Sequence, residues 1–246
     1  MKEILIALQF LTILPIKIKS EIKEEDFGRS LFYFPLAGVL IGLALAAVAV
    51  FLRFLPDLVT AACLLIVSIF ITGGIHLDGF ADTCDGFYGA KPKEEILRIM
   101  RDSHIGVMGA VGVTLLLLLK FVLFSSIPKD FLWKALIMMC CFARWVQAAG
   151  CLLPYARTEG KAAAFIKYAR KANVITGGVF VLLIFSGLSG LKGVAIFFSS
   201  LVIPALFIYY VRHRISGMTG DTLGAASEIA EVSTLFSALI FGLIWN

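Results

Sequence analysis

The sequence predicts an all-α protein that crosses a membrane repeatedly, with about seven spans behind a short N-terminal apolar helix, and three observations carry that prediction. Of its 246 residues 60% are hydrophobic and only 16% charged, more apolar surface than a soluble chain of this length can bury. Several apolar runs approach the roughly 20 residues that a helix needs to cross about 30 Å of hydrocarbon. Lys and Arg sort to alternate connections, as retention of positive charge on the cytoplasmic side requires.

The first apolar run, about residues 4–16, ends at Pro15 and is short for an upright crossing, so it is expected to lie in the interface, re-enter or cross obliquely. It follows Met1-Lys2 as a signal peptide would, but no small-residue cleavage site precedes the charged stretch Lys17–Arg29, and it is read as retained. Spans are then expected at about 31–52, 58–75, 107–127, 131–153, 174–190, 193–211 and 232–245. The polar segments between them are at most about 20–30 residues long, too short for a soluble domain, so residues 1–246 read as a single membrane domain. Glycines gather at span ends, as in Gly73-Gly74 and Gly217–Gly224, where tight turns or close helix packing use them.

With residues 1–30 inside, the inside segments 1–30, 77–106, 154–173 and 212–231 hold sixteen of the 22 Lys and Arg residues. The outside connections hold Arg53, Lys129, Lys134 and Lys192, while Lys120 and Arg144 fall within spans. Of 17 acids only Asp57 and Asp130 fall outside. The pattern predicts a protein of the cytoplasmic (inner) membrane whose chemistry faces the cytoplasm. The net charge of +5 reflects topology and an anionic substrate rather than nucleic-acid binding. Cys63, Cys84, Cys140, Cys141 and Cys151 have no metal-ligand or redox spacing and read as reduced and structural.

The strongest local signal is His76-Leu77-Asp78-Gly79-Phe80-Ala81-Asp82-Thr83-Cys84-Asp85-Gly86-Phe87. At 100° per residue Asp78, Asp82 and Asp85 stand at about 0°, 40° and −20°, one face of a helix. Acids so close need a positive partner. Oxygen ligands favour a hard cation, and Mg²⁺ takes one or two carboxylates while phosphate and water complete its shell. The plainer reading is a solvated helix start. His76 points to the opposite face of a continuous helix and is a candidate only for supporting the site.

Three further clusters share the same inferred side. Arg101-Asp102-Ser103-His104 either binds phosphate, orders a ligand, or caps the next span. Arg144 lies inside the fourth span, about 14 Å from its end by helical rise, and needs an anionic partner; Arg157, just beyond, has the planar fork suited to phosphate. Lys120 is expected to snorkel outward. Asp221 and Glu228, seven residues apart in Gly220-Asp221-Thr222-Leu223-Gly224-Ala225-Ala226-Ser227-Glu228, share a helical face, and Asp221 is expected to approach the first acid cluster.

Gly74-Ile75-His76-Leu77-Asp78-Gly79 with Ala81-Asp82-Thr83-Cys84-Asp85-Gly86, then Arg101-Asp102-Ser103, Pro154-Tyr155-Ala156-Arg157 and Gly220-Asp221-x-x-Gly224-Ala225 resemble the cobalamin synthase family, in order over nearly the whole chain. Departures are Ala143, where the family pattern has Gly, and the less glycine-rich Glu159-Gly160-Lys161. The resemblance implies an integral membrane enzyme that transfers adenosylcobinamide phosphate from adenosylcobinamide-GDP to α-ribazole or its 5′-phosphate, releasing GMP and requiring Mg²⁺. It implies attack by the ribose 5′-hydroxyl on a pyrophosphate. Asp82 and Asp85, with Asp78 and Asp221, would hold the metal and serve catalysis. Arg144, Arg157, Arg101, Asp102, Ser103, His76 and Glu228 would contact or support substrate. The general base stays open between Asp78 and a metal-ligating acid, and a homo-oligomer is compatible with the sequence.

Two other classes share part of the pattern. A CDP-alcohol phosphotransferase shares the opening Asp82-x-x-Asp85-Gly86, but Gly89-Ala90-Lys91-Pro92 departs from the rest of that pattern. An ion-coupled transporter would place its acids near the midplane in broken, repeated helices, whereas here they gather at one face.

Overall fold

The computed structural model describes residues 2–245, in which every regular element is helical. Helix α1 (Lys2–Leu11) is ten residues long, about 15 Å by helical rise, and so cannot cross a bilayer. It caps one end of the bundle, where Lys2 reaches the buried Asp26 at 2.6 Å. Helix α2 (Glu24–Ser30) opens with three acids in its first turn, the sign its N-terminus favours. A 3₁₀ turn, Leu31–Tyr33, leads into α3 (Phe34–Phe51), which starts with a proline where no amide donor is needed.

Helix α4 (Asp57–Thr72) follows Pro56 and stops at Gly73 and Gly74, both left-handed with φ of 64° and 69°, a conformation that favours glycine. Helix α5 (Ile75–Phe87) then leaves at 92° to α4. Pro92 precedes the short α6 (Lys93–Ile99), and Pro128 separates α7 (Val107–Ser126) from α8 (Lys129–Gly150). Helix α8 is the bundle's axis, buried along most of its length. Gly38 and Gly42 of α3, four residues apart, let that helix ride on its backbone: a Cβ at either would lie 2.7 Å from the Cα of Cys141 or Ile137.

After α9 (Ala163–Lys167) come α10 (Lys171–Ser200), α11 (Val202–Ile215) and α12 (Gly220–Ile244). The helical run of α10 breaks at Ser189 and Gly190, where φ is 57° at the glycine. The rings of Phe185 and Phe197 stand 5.6 Å apart across this break, whereas twelve residues of straight helix would separate them by about 18 Å. The run therefore doubles back as two antiparallel legs, matching the expected spans 174–190 and 193–211.

Five helices among the described residues are long and apolar enough to cross a membrane, or six if the bent pair α4–α5 counts as one span. Dividing the doubled-back run makes six crossings, or seven with the bent pair, in line with the about seven expected. All five cysteines are free.

One boundary is corrected. The last span was expected at 232–245, but α12 is continuous from Gly220, so Glu228 and Glu231 lie in the bundle, not in a polar connection. Their charges are neutralised there by residues from other helices. Lys120, expected to snorkel outward, is 4% exposed and bonds Glu228 and, at 2.6 Å, Glu231. Arg144 is bound to Ser227 and lies 3.3 Å from Glu231. Two cations and two acids balance within apolar surroundings, where an unpaired charge would be costly.

The segments carrying the sequence motifs meet at one end of the bundle. Lys167 bonds Glu24 at 3.0 Å, Arg214 bonds the carbonyls of Gly89 and Lys91 at 3.2 Å, and Ala156 and Met218 join the connections before and after α9–α11 by backbone bonds of 2.9 and 2.8 Å to Met218 and Pro154. At the other end Lys129 bonds Asp57 at 3.0 Å and Lys192 sits over the ring of Phe131 at 4.5 Å.

Candidate functional site

The three acids of α5 have different partners. Both oxygens of Asp85 accept backbone amides at the start of α7, from Gly106 and Gly109 at 2.8 Å each. Asp85 thus caps that helix in trans and gains from its positive N-terminal end, which fixes α5 against α7. Asp78 is exposed and Asp82 partly buried one turn on, with neither oxygen tied to a helix end. Thr83 stays within α5, donating to the Gly79 carbonyl at 2.6 Å.

The opening of α12 meets this face at Gly79, whose absent side chain permits backbone contact: a Cβ there would lie 2.7 Å from the Asp221 carbonyl oxygen and 2.8 Å from its Cα. Asp221, over 130 residues further along the chain, therefore lies beside Asp78 and Asp82. Thr219 and Thr222 form a reciprocal cap with bonds of 3.1 and 2.8 Å that sets the start of α12. Arg157 pairs with Asp221 at 2.8 Å and donates to the Met100 carbonyl at 3.2 Å, tying the connection after α8 to both α6 and α12.

These groups border a cavity of about 260 Å³. Its accessible wall carries Asp78, Arg157, Asp221, Tyr155 and Lys161, with Phe10 of α1 and Gly160 alongside. Its buried wall carries His76 and Gln147, 2% and 3% exposed. Burial holds the Tyr155 phenol above its ordinary range. Carboxylates with two strong cations on one concave surface suit an anion that brings a hard metal with it.

The remaining residues singled out from the sequence lie elsewhere. Arg101, Asp102 and Ser103 form an exposed loop leading to α7; Asp102 bonds the His104 ring at 2.7 Å and its amide at 3.0 Å, which holds the carboxyl below its ordinary range. Arg144 and Glu228 belong to the interior charge network. Sequence reasoning named Tyr155 and Lys161 without giving them a role and missed Gln147, Phe10 and Glu231. Gln147 was detectable as an amide within an otherwise apolar span, and Glu231 as one of two acids needed to balance Lys120 and Arg144. Phe10 carried no signal.

Among the described residues no three His, Cys, Asp or Glu side chains converge as a metal cage. The donor set nevertheless fits Mg²⁺, which draws one or two carboxylates from the protein and the rest from phosphate and water; Asp78 and Asp221 share the cavity wall, with Asp82 adjacent.

The family profile described as cobalamin-5-phosphate synthase matches residues 3–239. Similar curated proteins named adenosylcobinamide-GDP ribazoletransferase come from Clostridium novyi (strain NT), 34% identical with 98% of each chain covered, and Desulfitobacterium hafniense (strain Y51), 36% identical with 97% of this chain and 96% of the relative covered. Another, from Acinetobacter baumannii (strain ACICU), is 37% identical over 96% of each. No solved structure matches.

Proposed function

The chain belongs to the cobalamin-5-phosphate synthase family, and from that premise we infer that it is an adenosylcobinamide-GDP ribazoletransferase. It joins adenosylcobinamide phosphate to α-ribazole or its 5′-phosphate and releases GMP, completing the nucleotide loop of cobalamin. The observation that carries the reading is the meeting of Asp78, Asp221 and Arg157 on one cavity, from segments far apart in sequence.

A hydroxyl of the riboside attacks the phosphorus joined to cobinamide; a new P–O bond forms, the bond to the bridging oxygen breaks, and that oxygen leaves with GMP. The resemblance implies attack by the 5′-hydroxyl. A product that is a cobalamin 5-phosphate keeps phosphate at that position, so with the phosphorylated acceptor the attack falls to a secondary ring hydroxyl. Arg157 and Lys161 offset pyrophosphate charge, and Asp221 is oriented through Arg157. Asp78 and Asp221, with Asp82 adjacent, are proposed to hold Mg²⁺, which would neutralise charge on the pyrophosphate. Asp78 is exposed and accessible for taking the hydroxyl proton. Most of the catalytic effect in such a site is positioning and electrostatics.

We further place the cavity end of the bundle at the cytoplasmic side of the inner membrane, on the asymmetry of loop cations. The test is to give detergent-purified protein adenosylcobinamide-GDP and, in parallel, α-ribazole or its 5′-phosphate, with and without Mg²⁺, while following GMP and cobalamin or its 5′-phosphate. Equimolar, metal-dependent formation of both is expected with at least one acceptor; GMP without the corrinoid product, or neither, would refute the assignment.

A further inference from the structure

The buried wall of the cavity has unused hydrogen-bonding capacity. His76 is 2% exposed and Gln147 3%, and both line the cavity that also holds Asp78 and Asp221. Neither ring nitrogen of His76 nor the Gln147 Oε1 makes a well-formed hydrogen bond, and the two side chains lie close enough to interact with each other, so a ligand hydroxyl can enter between them. Buried polar atoms are paired in the great majority of cases, and here three unpaired atoms come together on a ligand-sized cavity. A neutral imidazole offers one donor and one acceptor, and the carboxamide oxygen adds a second acceptor.

We propose that His76 and Gln147 hold the ribose diol of the acceptor riboside and orient its attacking hydroxyl towards the phosphate at Asp78, Asp221 and Arg157. Two adjacent hydroxyls, each able to donate and accept, complement two acceptors and one donor. The cavity, about 260 Å³, admits a nucleoside but not a corrin macrocycle, which leaves the cobinamide part of the donor outside. The donor also carries a ribose diol in its guanosine. The acceptor is assigned here because its ring hydroxyl must reach the phosphorus, and the buried wall shares one cavity with the acids. Gly224 supports the arrangement: a Cβ there would lie 3.2 Å from the His76 Cα, so the glycine lets α12 pack on the start of α5.

This inference rests on the ribazoletransferase reading, and one experiment separates the two. Gln147→Met removes the acceptor at nearly constant volume, and His76→Asn alters the second partner; neither removes a group placed at the metal or the phosphate. GMP release by the purified enzyme is measured with α-ribazole and its 2′-deoxy and 3′-deoxy analogues, and GMP is titrated as inhibitor. The expected result is at least a tenfold rise in KM for α-ribazole in both variants, loss of most of the wild-type preference for α-ribazole over the deoxy analogue that retains the attacking hydroxyl, and unchanged inhibition by GMP. The loss of preference separates this role from simple destabilisation, because a site built to bond a hydroxyl rejects the analogue lacking it. Unchanged GMP inhibition shows that each variant is folded. A wild-type enzyme that uses neither α-ribazole nor its 5′-phosphate sinks the functional reading. An active wild type with unchanged KM and preference in Gln147→Met overturns this inference alone, as does weakened GMP inhibition with α-ribazole unaffected, which would give the diol to guanosine.

Discussion

Replacing Gly79 by alanine tests whether contact between α5 and α12 sets the site. The added Cβ would lie 2.7 Å from the Asp221 carbonyl oxygen. Ordinary contact begins near 3.4 Å, so the two backbones must part by about 0.7 Å, with no flexible side chain to take up the shift. Alanine gains about 1 kcal/mol of helix propensity, but overpacking of this kind costs about 1–3 kcal/mol. The net effect on stability is a loss of at most about 2 kcal/mol. The effect on turnover is larger, because Asp221 and Asp78 are proposed to act on one pyrophosphate and a displacement near 1 Å costs about 10²-fold; a drop of about 10- to 100-fold is expected. Thermal unfolding in detergent and GMP release measure the two separately. Gly187→Ala, with nothing within 4 Å of its added Cβ, is the control: turnover is unchanged and stability rises by at most about 1 kcal/mol. Wild-type turnover in Gly79→Ala would refute the reasoning.

Three other outcomes are expected. Lys120→Met leaves Glu228 without its cation and lowers stability by about 3–5 kcal/mol; adding Glu228→Gln recovers much of the loss, as thermal unfolding of the two variants shows. Asp85→Asn puts an amide donor against one of two backbone amides, so stability falls by about 1–3 kcal/mol along with turnover, whereas Asp78→Asn loses turnover with an unchanged unfolding temperature. In intact cells an impermeant thiol reagent labels Lys192→Cys and misses Lys167→Cys on a background lacking the native cysteines; the reverse pattern inverts the topology.

Much of the fold was legible because the bilayer imposes a one-dimensional rule: apolar runs of set length, with cations retained on one side. The rule misplaced the start of α12, because Glu228 and Glu231 look like loop residues until Lys120 and Arg144 are seen to neutralise them from α7 and α8. Hydropathy scores each residue alone, whereas burial of charge is a property of pairs. Gly38 and Gly42 could have been read as a helix contact from their spacing, but their partner on α8 could not. At the site, the one-face arrangement of Asp78, Asp82 and Asp85 followed from helical periodicity. That Asp85 caps α7 through Gly106 and Gly109 did not, since it depends on the packing of two helices. His76 was expected to point away from the acids, but at the start of a helix that leaves α4 at 92° it lines the same cavity as Asp78.

The central claim, that Asp78 of α5 and Asp221 of α12 act as one unit, is tested most directly by the rates of GMP release from Asp78→Asn, Asp221→Asn and the double variant at saturating Mg²⁺ and substrates. Residues that act together are non-additive, so the double variant should retain the residual rate of the weaker single variant. Losses that multiply in the double variant would show two independent contributions and contradict a shared site.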